Sequence, residues 1–176
     1  MSSNEGPRNR RFQEQVLPYQ AAAYNLARWM SRNDTDAGDI VQEALVRALK
    51  YFDGYRGGDA RSWLLRIVRN TAYTWLQSNS PALQPLSMAD LGDLNDSGAA
   101  DPARAIAAQD EARRLRFAIN QLPIECREVL VLRELEELSY RQIAQIVDCP
   151  IGTVMSRLSR ARDKLSTELL SEAKCT

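Results

Sequence analysis

Apolar residues recur at helical spacing along most of the chain, and no stretch sustains the two-residue alternation of a half-buried strand. The pattern predicts an all-α protein. Residues 12–30 read as a first helix that starts afresh at Pro18. A second runs from Thr35 to Tyr51, with Ile40, Val41, Ala44, Leu45, Ala48 and Leu49 on its apolar face and Phe52 just beyond. Asp34 or Thr35 is expected to cap it, and Asp36 and Asp39 sit where the helix dipole favours acids. Its other face carries Asp36, Asp39, Gln42, Glu43 and Arg47. The loop "FDGYRGGD" follows, ending on Asp59, the expected cap of a third helix over 60–77. At 100° per residue this helix gathers Trp63, Leu64, Ile67, Val68, Thr71 and Trp75 on one side. Ser62, Arg66, Arg69, Asn70, Tyr73 and Gln77 fall on another.

The helical pattern stops at residues 78–103, which hold three prolines, two glycines and four aspartates but no Lys or Arg. This reads as a flexible acidic linker, and it divides the chain into modules of 10–77 and 104–170. The second module opens at Asp101-Pro102, a cap followed by proline at the first helical position, and this helix should end near Leu122-Pro123. A further helix, Ile124 to Leu135, turns Val129, Leu130 and Leu132 toward a core. Ser139 and Gln142 have capping-box spacing and start a short helix burying Ile143, Ala144 and Val147. A turn over 148–151 leads into the last helix. There Val154, Leu158, Ala161 and Leu165 form one stripe, leaving Ser156, Ser159, Arg160 and Asp163 opposite, flanked by Met155 and Arg157. Short helix, tight turn and longer helix with a polar N-terminal half make a helix-turn-helix, whose second helix suits a major groove. Arg160 has the reach for guanine. Thr153 and Ser156 suit bases or phosphate, while Arg157, Arg162 and Lys164 suit phosphates.

Composition narrows the chemistry. The 176 residues are 44% hydrophobic and 26% charged, with a formal net charge of zero, which is the range of a folded protein. No run approaches the roughly 18 apolar residues of a membrane span. The opening "MSSNEGPRNRRFQEQ" lacks the apolar core of a signal peptide, so a cytoplasmic location is expected. Cys126, Cys149 and Cys175 are far apart and histidine is absent, which argues against a disulfide framework, a zinc site and the commonest general base. No catalytic residue, metal or cofactor is expected. Neutral charge is no obstacle to nucleic acid, because the distribution of charge matters more than its sum.

Two segments, "DTDAGDIVQEALVRALKYFDGYRGGDARSWLLRIVRNTAYTWL" (34–76) and "LPIECREVLVLRELEELSYRQIAQIVDCPIGTVMSRLSRARDKL" (122–165), together resemble the extracytoplasmic-function sigma factors of bacterial RNA polymerase. The resemblance implies that residues 10–77 dock on core polymerase, through Asp36, Asp39, Gln42, Glu43 and Arg47. It also implies that this module melts and reads the −10 promoter element, with Tyr55, Arg56, Arg66, Arg69, Asn70 and Tyr73 contacting the strand and a base flipped into a pocket. The helix-turn-helix would read the −35 element. Its matching positions are Arg133, Thr153, Met155, Ser156, Arg157, Ser159, Arg160 and Arg162. Met155 stands where relatives often have Arg or Lys, and a thioether can touch a thymine methyl but cannot bond guanine. The linker resembles the segment that threads toward the polymerase active site and RNA exit channel, where its aspartates would mimic a transcript. The implied partners are core RNA polymerase, promoter DNA and an anti-sigma factor, often membrane-anchored. Weak DNA binding by the free chain and strong, salt-sensitive binding in the holoenzyme are expected. A stand-alone helix-turn-helix regulator is the alternative, and it would need a ligand pocket or a dimerisation helix in the first module.

Overall fold

A computed structural model of the chain describes residues 5–79 and 102–173. These residues form helices and no strands. The helices are α1 (Glu5–Gln15), α2 (Gln20–Ser31), α3 (Asp34–Tyr51), α4 (Ala60–Asn79), α5 (Pro102–Asn120), α6 (Ile124–Glu134), α7 (Tyr140–Val147) and α8 (Ile151–Ala173). Most of the expected linker lies outside the described residues. Its ends do not: residues 78–79 still belong to α4, and Pro102 already opens α5. Helical structure also begins at Glu5, earlier than the apolar pattern indicates, because among its described side chains α1 gives the core only Phe12, with Val16 buried just beyond its end. The fresh start at Pro18 is present as a 3-10 turn over Leu17–Tyr19.

The caps explain two boundaries. Neither Asp34 nor Thr35 caps α3. Asn33 does, because it holds the extended backbone a cap requires (φ −144°, ψ 134°), and its side chain accepts hydrogen bonds from the amides of Thr35 at 2.8 Å and Asp36 at 3.0 Å. Asp59 does accept from the Ser62 amide at 3.0 Å and from the Ser62 hydroxyl. That bond draws Ser62 in and leaves it buried, whereas the helical wheel puts it on the exposed polar face.

In the N-terminal half, α2, α3 and α4 pack on one another around Leu26, Met30, Ile40, Leu64, Leu65 and Val68. In the C-terminal half, α6, α7 and α8 pack around Val129, Leu132, Ile143, Ile146, Val154 and Leu158. The two halves also pack against each other, α2 against α6 and α4 against α7. Lying between α2 and α8, α6 is buried nearly all round, and its buried residues include Val131 and the charged pair Arg127 and Glu128.

Candidate nucleic-acid interface

The helix-turn-helix forms as its sequence implies. The Ser139 side chain accepts from the Gln142 amide, and the Gln142 side chain accepts from the Ser139 amide, so the two close a reciprocal capping box on α7. Asp148 ends α7 in the left-handed region (φ 54°), and Pro150 then accepts the first amides of α8, from Thr153 and Val154. Val154, Leu158 and Ala161 are fully buried and Leu165 half-buried. This fixes the rotation of α8 and turns Met155, Ser156, Ser159 and Arg160 to the surface. Met155 is 52% exposed. The Ser156 hydroxyl donates to the Thr153 carbonyl at 3.0 Å. Thr153 is half-buried.

Three arginines expected to face DNA are otherwise engaged. Arg133 donates to the Leu138 carbonyl at 2.8 Å and lies 5.0 Å from the centre of the Tyr140 ring, tying the turn after α6 to α7. Arg162 pairs with Glu134 at 2.7 Å on the surface. Arg157 turns inward, to 3.5 Å from Glu128, because a carboxylate buried in α6 lies beneath it.

On α4 Arg69 is likewise turned into the molecule. Arg69 donates two hydrogen bonds to Glu128, at 2.8 and 3.1 Å, and stacks 4.6 Å from the Tyr73 ring centre. Burial by itself would lower the Arg69 pKa, yet these bonds hold it above the ordinary value. Burial pushes the Glu128 carboxyl up, against the opposing pull of Arg69 and Arg157. The two directions together describe a pair whose desolvation offsets much of its attraction. The Tyr73 hydroxyl is buried without a hydrogen-bond partner, and burial beside Glu128 raises its pKa to about 12. Arg66 is exposed, 3.9 Å from Asp148, and Asn70 is exposed.

The loop before α4 is ordered by an aromatic cluster. Phe52 meets Phe12 edge-on at 5.3 Å and Tyr55 in a stack at 5.8 Å, and Tyr55 lies 4.9 Å from Trp63. Tyr55 is therefore half-buried, its hydroxyl donating to the Gly58 carbonyl at 2.8 Å. Gly57 and Gly58 take positive φ (89° and 102°), which lets the chain turn from the cluster to Asp59. Arg56 is exposed. On α3, Asp39 and Gln42 are exposed, Asp36 is half-buried, and Glu43 and Arg47 form an i,i+4 ion pair. Val46, which the polar pattern passes over, lies on this same surface and is 69% exposed.

Several interface residues have no motif to announce them. Glu136 is buried and accepts from Arg61 and from Asn25 at 3.2 Å. Arg32 donates to the Asn120 carbonyl at 3.3 Å and Arg127 to the same oxygen at 3.0 Å. Burial, with Arg32 nearby, lowers Arg127 to about 10. The available signal was a charged pair, Arg127-Glu128, inside the apolar run of α6.

Comparison with known proteins agrees with this arrangement. Residues 16–81 match Sigma-70 region 2, and residues 112–165 match Sigma-70, region 4. The "ECF RNA polymerase sigma-E factor" of Haemophilus influenzae is 37% identical over 152 residues, 82% of this chain and 79% of that protein. Its counterpart in Escherichia coli is 37% identical over 76% of this chain and 74% of its own length. Among solved structures, the sigma factor RpoE in complex with the anti-sigma factor NepR from Bartonella quintana superposes with a TM-score of 0.68 at 27% identity. That match covers 90% of this chain and 96% of the other. CnrH in complex with the cytosolic domain of CnrY gives 0.66 at 25% identity, over 93% and 90%. Two matched regions in the order of the two helical halves, with relatives aligned across both, place this chain in the extracytoplasmic-function sigma factors of RNA polymerase.

Proposed function

We propose that the chain binds core RNA polymerase and directs it to promoters with its own −35 and −10 elements, residues 104–170 serving the first and residues 10–77 the second. The observation that carries this reading is the helix-turn-helix of α7 and α8, with Met155, Ser156, Ser159 and Arg160 outward, in the same chain as a region 2 match. In this role Asp36, Asp39, Gln42, Glu43 and Arg47, with Val46 among them, face the polymerase. Tyr55, Arg56, Arg66, Arg69, Asn70 and Tyr73 serve the −10 strand. The bond-making chemistry belongs to the polymerase, and the chain acts as a cytoplasmic specificity subunit. Among the described residues no helix is long and apolar enough to cross a membrane. Control by an anti-sigma factor follows by analogy with the similar RpoE of Bartonella quintana, solved in complex with the anti-sigma factor NepR.

Run-off transcription with core polymerase on a promoter library tests the proposal. Promoter-specific transcripts that depend on this chain are expected. Their absence, with the core shown active alongside another sigma factor, refutes it. Promoter binding by the free chain as tight as by the holoenzyme would favour a stand-alone regulator.

A further inference from the structure

Helix α1 is tied to the start of the loop that carries Tyr55 and Arg56. Arg8 donates through Nε to the Asp53 carboxylate at 2.9 Å and through a second guanidinium nitrogen to the Leu49 carbonyl. One turn further along α1, Phe12 meets the Phe52 ring edge-on at 5.3 Å. Arg11 lies 5.6 Å from the centre of the same ring.

The places of these partners in the chain give the contacts a use. Leu49 is in the last turn of α3, where carbonyls lack amide partners within the helix and a cation is favoured. Asp53 belongs to the 3-10 turn Phe52–Gly54 that follows. The Arg8 guanidinium therefore bridges the point at which α3 ends and the loop begins. Phe12 acts through the next link. Phe52 is buried, the Tyr55 ring stacks on it, and the Tyr55 amide donates to the Phe52 carbonyl at 3.0 Å. Beyond Tyr55 the loop is exposed at Arg56, Gly57 and Gly58, and both glycines take positive φ. Ordering such a segment costs backbone entropy. Anchors at its two ends offset that cost, Arg8 with Phe12 at one and the Asp59 cap of α4 at the other.

We propose that Arg8 and Phe12 are positioning residues for promoter reading: α1 clamps the start of the loop 52–59 so that Tyr55 and Arg56 meet the −10 strand in one arrangement. The proposal rests on the reading of this loop as a −10 contact. Groups fixed before binding lose no freedom on binding, so a clamped loop distinguishes sequences better than a loose one. The clamp acts on discrimination at the −10 element and leaves docking through α3 and −35 reading through α8 as they are.

The test uses the full chain. Arg8→Ala is the informative variant, because Arg8 is half-buried and pairs with an exposed aspartate, so the fold survives its loss. In hydrogen exchange of the free chain, the Tyr55 amide should exchange about tenfold faster in the variant, with the amides of α6 and α8 unchanged. In transcription with core polymerase, the spread of output across single-base −10 variants should narrow about fivefold. The spread across −35 variants and the affinity for core should stay as in the wild type. Asp53→Ala should reproduce part of the defect, and the double variant should be no worse than Arg8→Ala alone. Arg8→Lys should fall between, since one ammonium replaces a fork that reaches two acceptors. Unchanged exchange at Tyr55 overturns the clamp. Faster exchange with an unchanged −10 spread, or with the −10 and −35 spreads narrowed alike, overturns its part in reading. The two readings fail separately. Promoter-specific transcripts with unchanged exchange end the clamp alone, whereas a wild type without promoter-specific transcripts ends the promoter-directing function and the positioning role with it.

Discussion

Leu158 and Met155 lie less than one turn apart on α8 and face opposite ways. Leu158 is 1% exposed, in the stripe that packs α8 on α6 and α7. Met155 is 52% exposed, with its side chain on the outward face. Truncating a buried leucine to alanine removes its transfer free energy and leaves a cavity, at a typical cost of 2–5 kcal/mol. For Leu158→Ala about 3 kcal/mol is expected, since the surrounding Val129, Ile143 and Val154 sit on rigid helices. At roughly 2–4 °C per kcal/mol for a chain of this size, that is a fall in Tm of about 6–12 °C. Met155→Ala should stay within about 0.5 kcal/mol, as surface changes do. The functional effects should be reversed in kind. In run-off assays with saturating core polymerase, Met155→Ala should alter the preference among −35 variants at a position where a thymine methyl can meet the thioether. Leu158→Ala should lower output on all −35-dependent promoters alike and show its defect first on warming. Thermal unfolding followed by circular dichroism, beside transcription from a panel of single-base −35 variants, checks both. Equal loss of Tm in the two variants would mean α8 is rotated away from the orientation described, and the whole assignment of its outward face would fall with it.

Three further outcomes follow from the described contacts. Arg160→Ala should abolish the dependence of transcription on the −35 sequence while leaving stability within about 0.5 kcal/mol of wild type; an equal fall on every promoter would refute a base-reading role. Asp39→Ala with Glu43→Ala should weaken binding to core polymerase, measured by co-elution or fluorescence. It should change stability by only a few tenths of a kcal/mol, because the one ion pair lost is an exposed i,i+4 pair; unchanged affinity would remove these residues from the docking surface. Tyr73 should ionise near pH 12, identified by difference absorbance at 295 nm against Tyr73→Phe. Because its folded-state pKa lies above 10, its contribution to stability is complete below pH 10 and lost as pH rises toward 12; ionisation near 10 would place the hydroxyl in solvent.

Local physics made much of this structure legible from sequence. The capping box of Ser139 and Gln142, the stripe Val154, Leu158 and Ala161, and the cap of Asp59 all depend on residues a few positions apart, and all are present. The failures depend on long-range partners or backbone state. Arg157 and Arg69 look outward on a helical wheel, but Glu128 lies 29 residues from one and 59 from the other and draws both inward. The wheel gives Ser62 a solvent face because it cannot register that an aspartate cap claims the hydroxyl. Asn33 was passed over as the α3 cap because three adjacent polar residues can each serve, and the choice is made by which one holds extended φ and ψ. Glu136, Asn25 and Arg61 carried no pattern at all, since a contact between two separate helical halves leaves no periodicity in either.

Net charge zero is the feature that sequence alone made hardest to reconcile with DNA, and the paired residues resolve it. Three arginines of α4 and one of α8 are set against Glu128, Glu136 and Asp148, and Arg162 against Glu134. Part of the cationic charge is thus paired locally, and cationic surface remains. Arg160 differs, being exposed with no ion pair to another described residue. Nonspecific affinity for DNA grows with the number of phosphates neutralised, so arginines already held by carboxylates add less to retention on random sequence than an exposed one such as Arg160. Only Arg61 and Arg69 are held firmly by carboxylates of the other half; Arg157 meets Glu128 within its own half, Glu128 serves both Arg69 and Arg157, and Arg66 is exposed beside Asp148. Pairing across the molecule therefore weakens the cationic face of α4 at two positions and leaves Arg66 and Arg160 open to solvent.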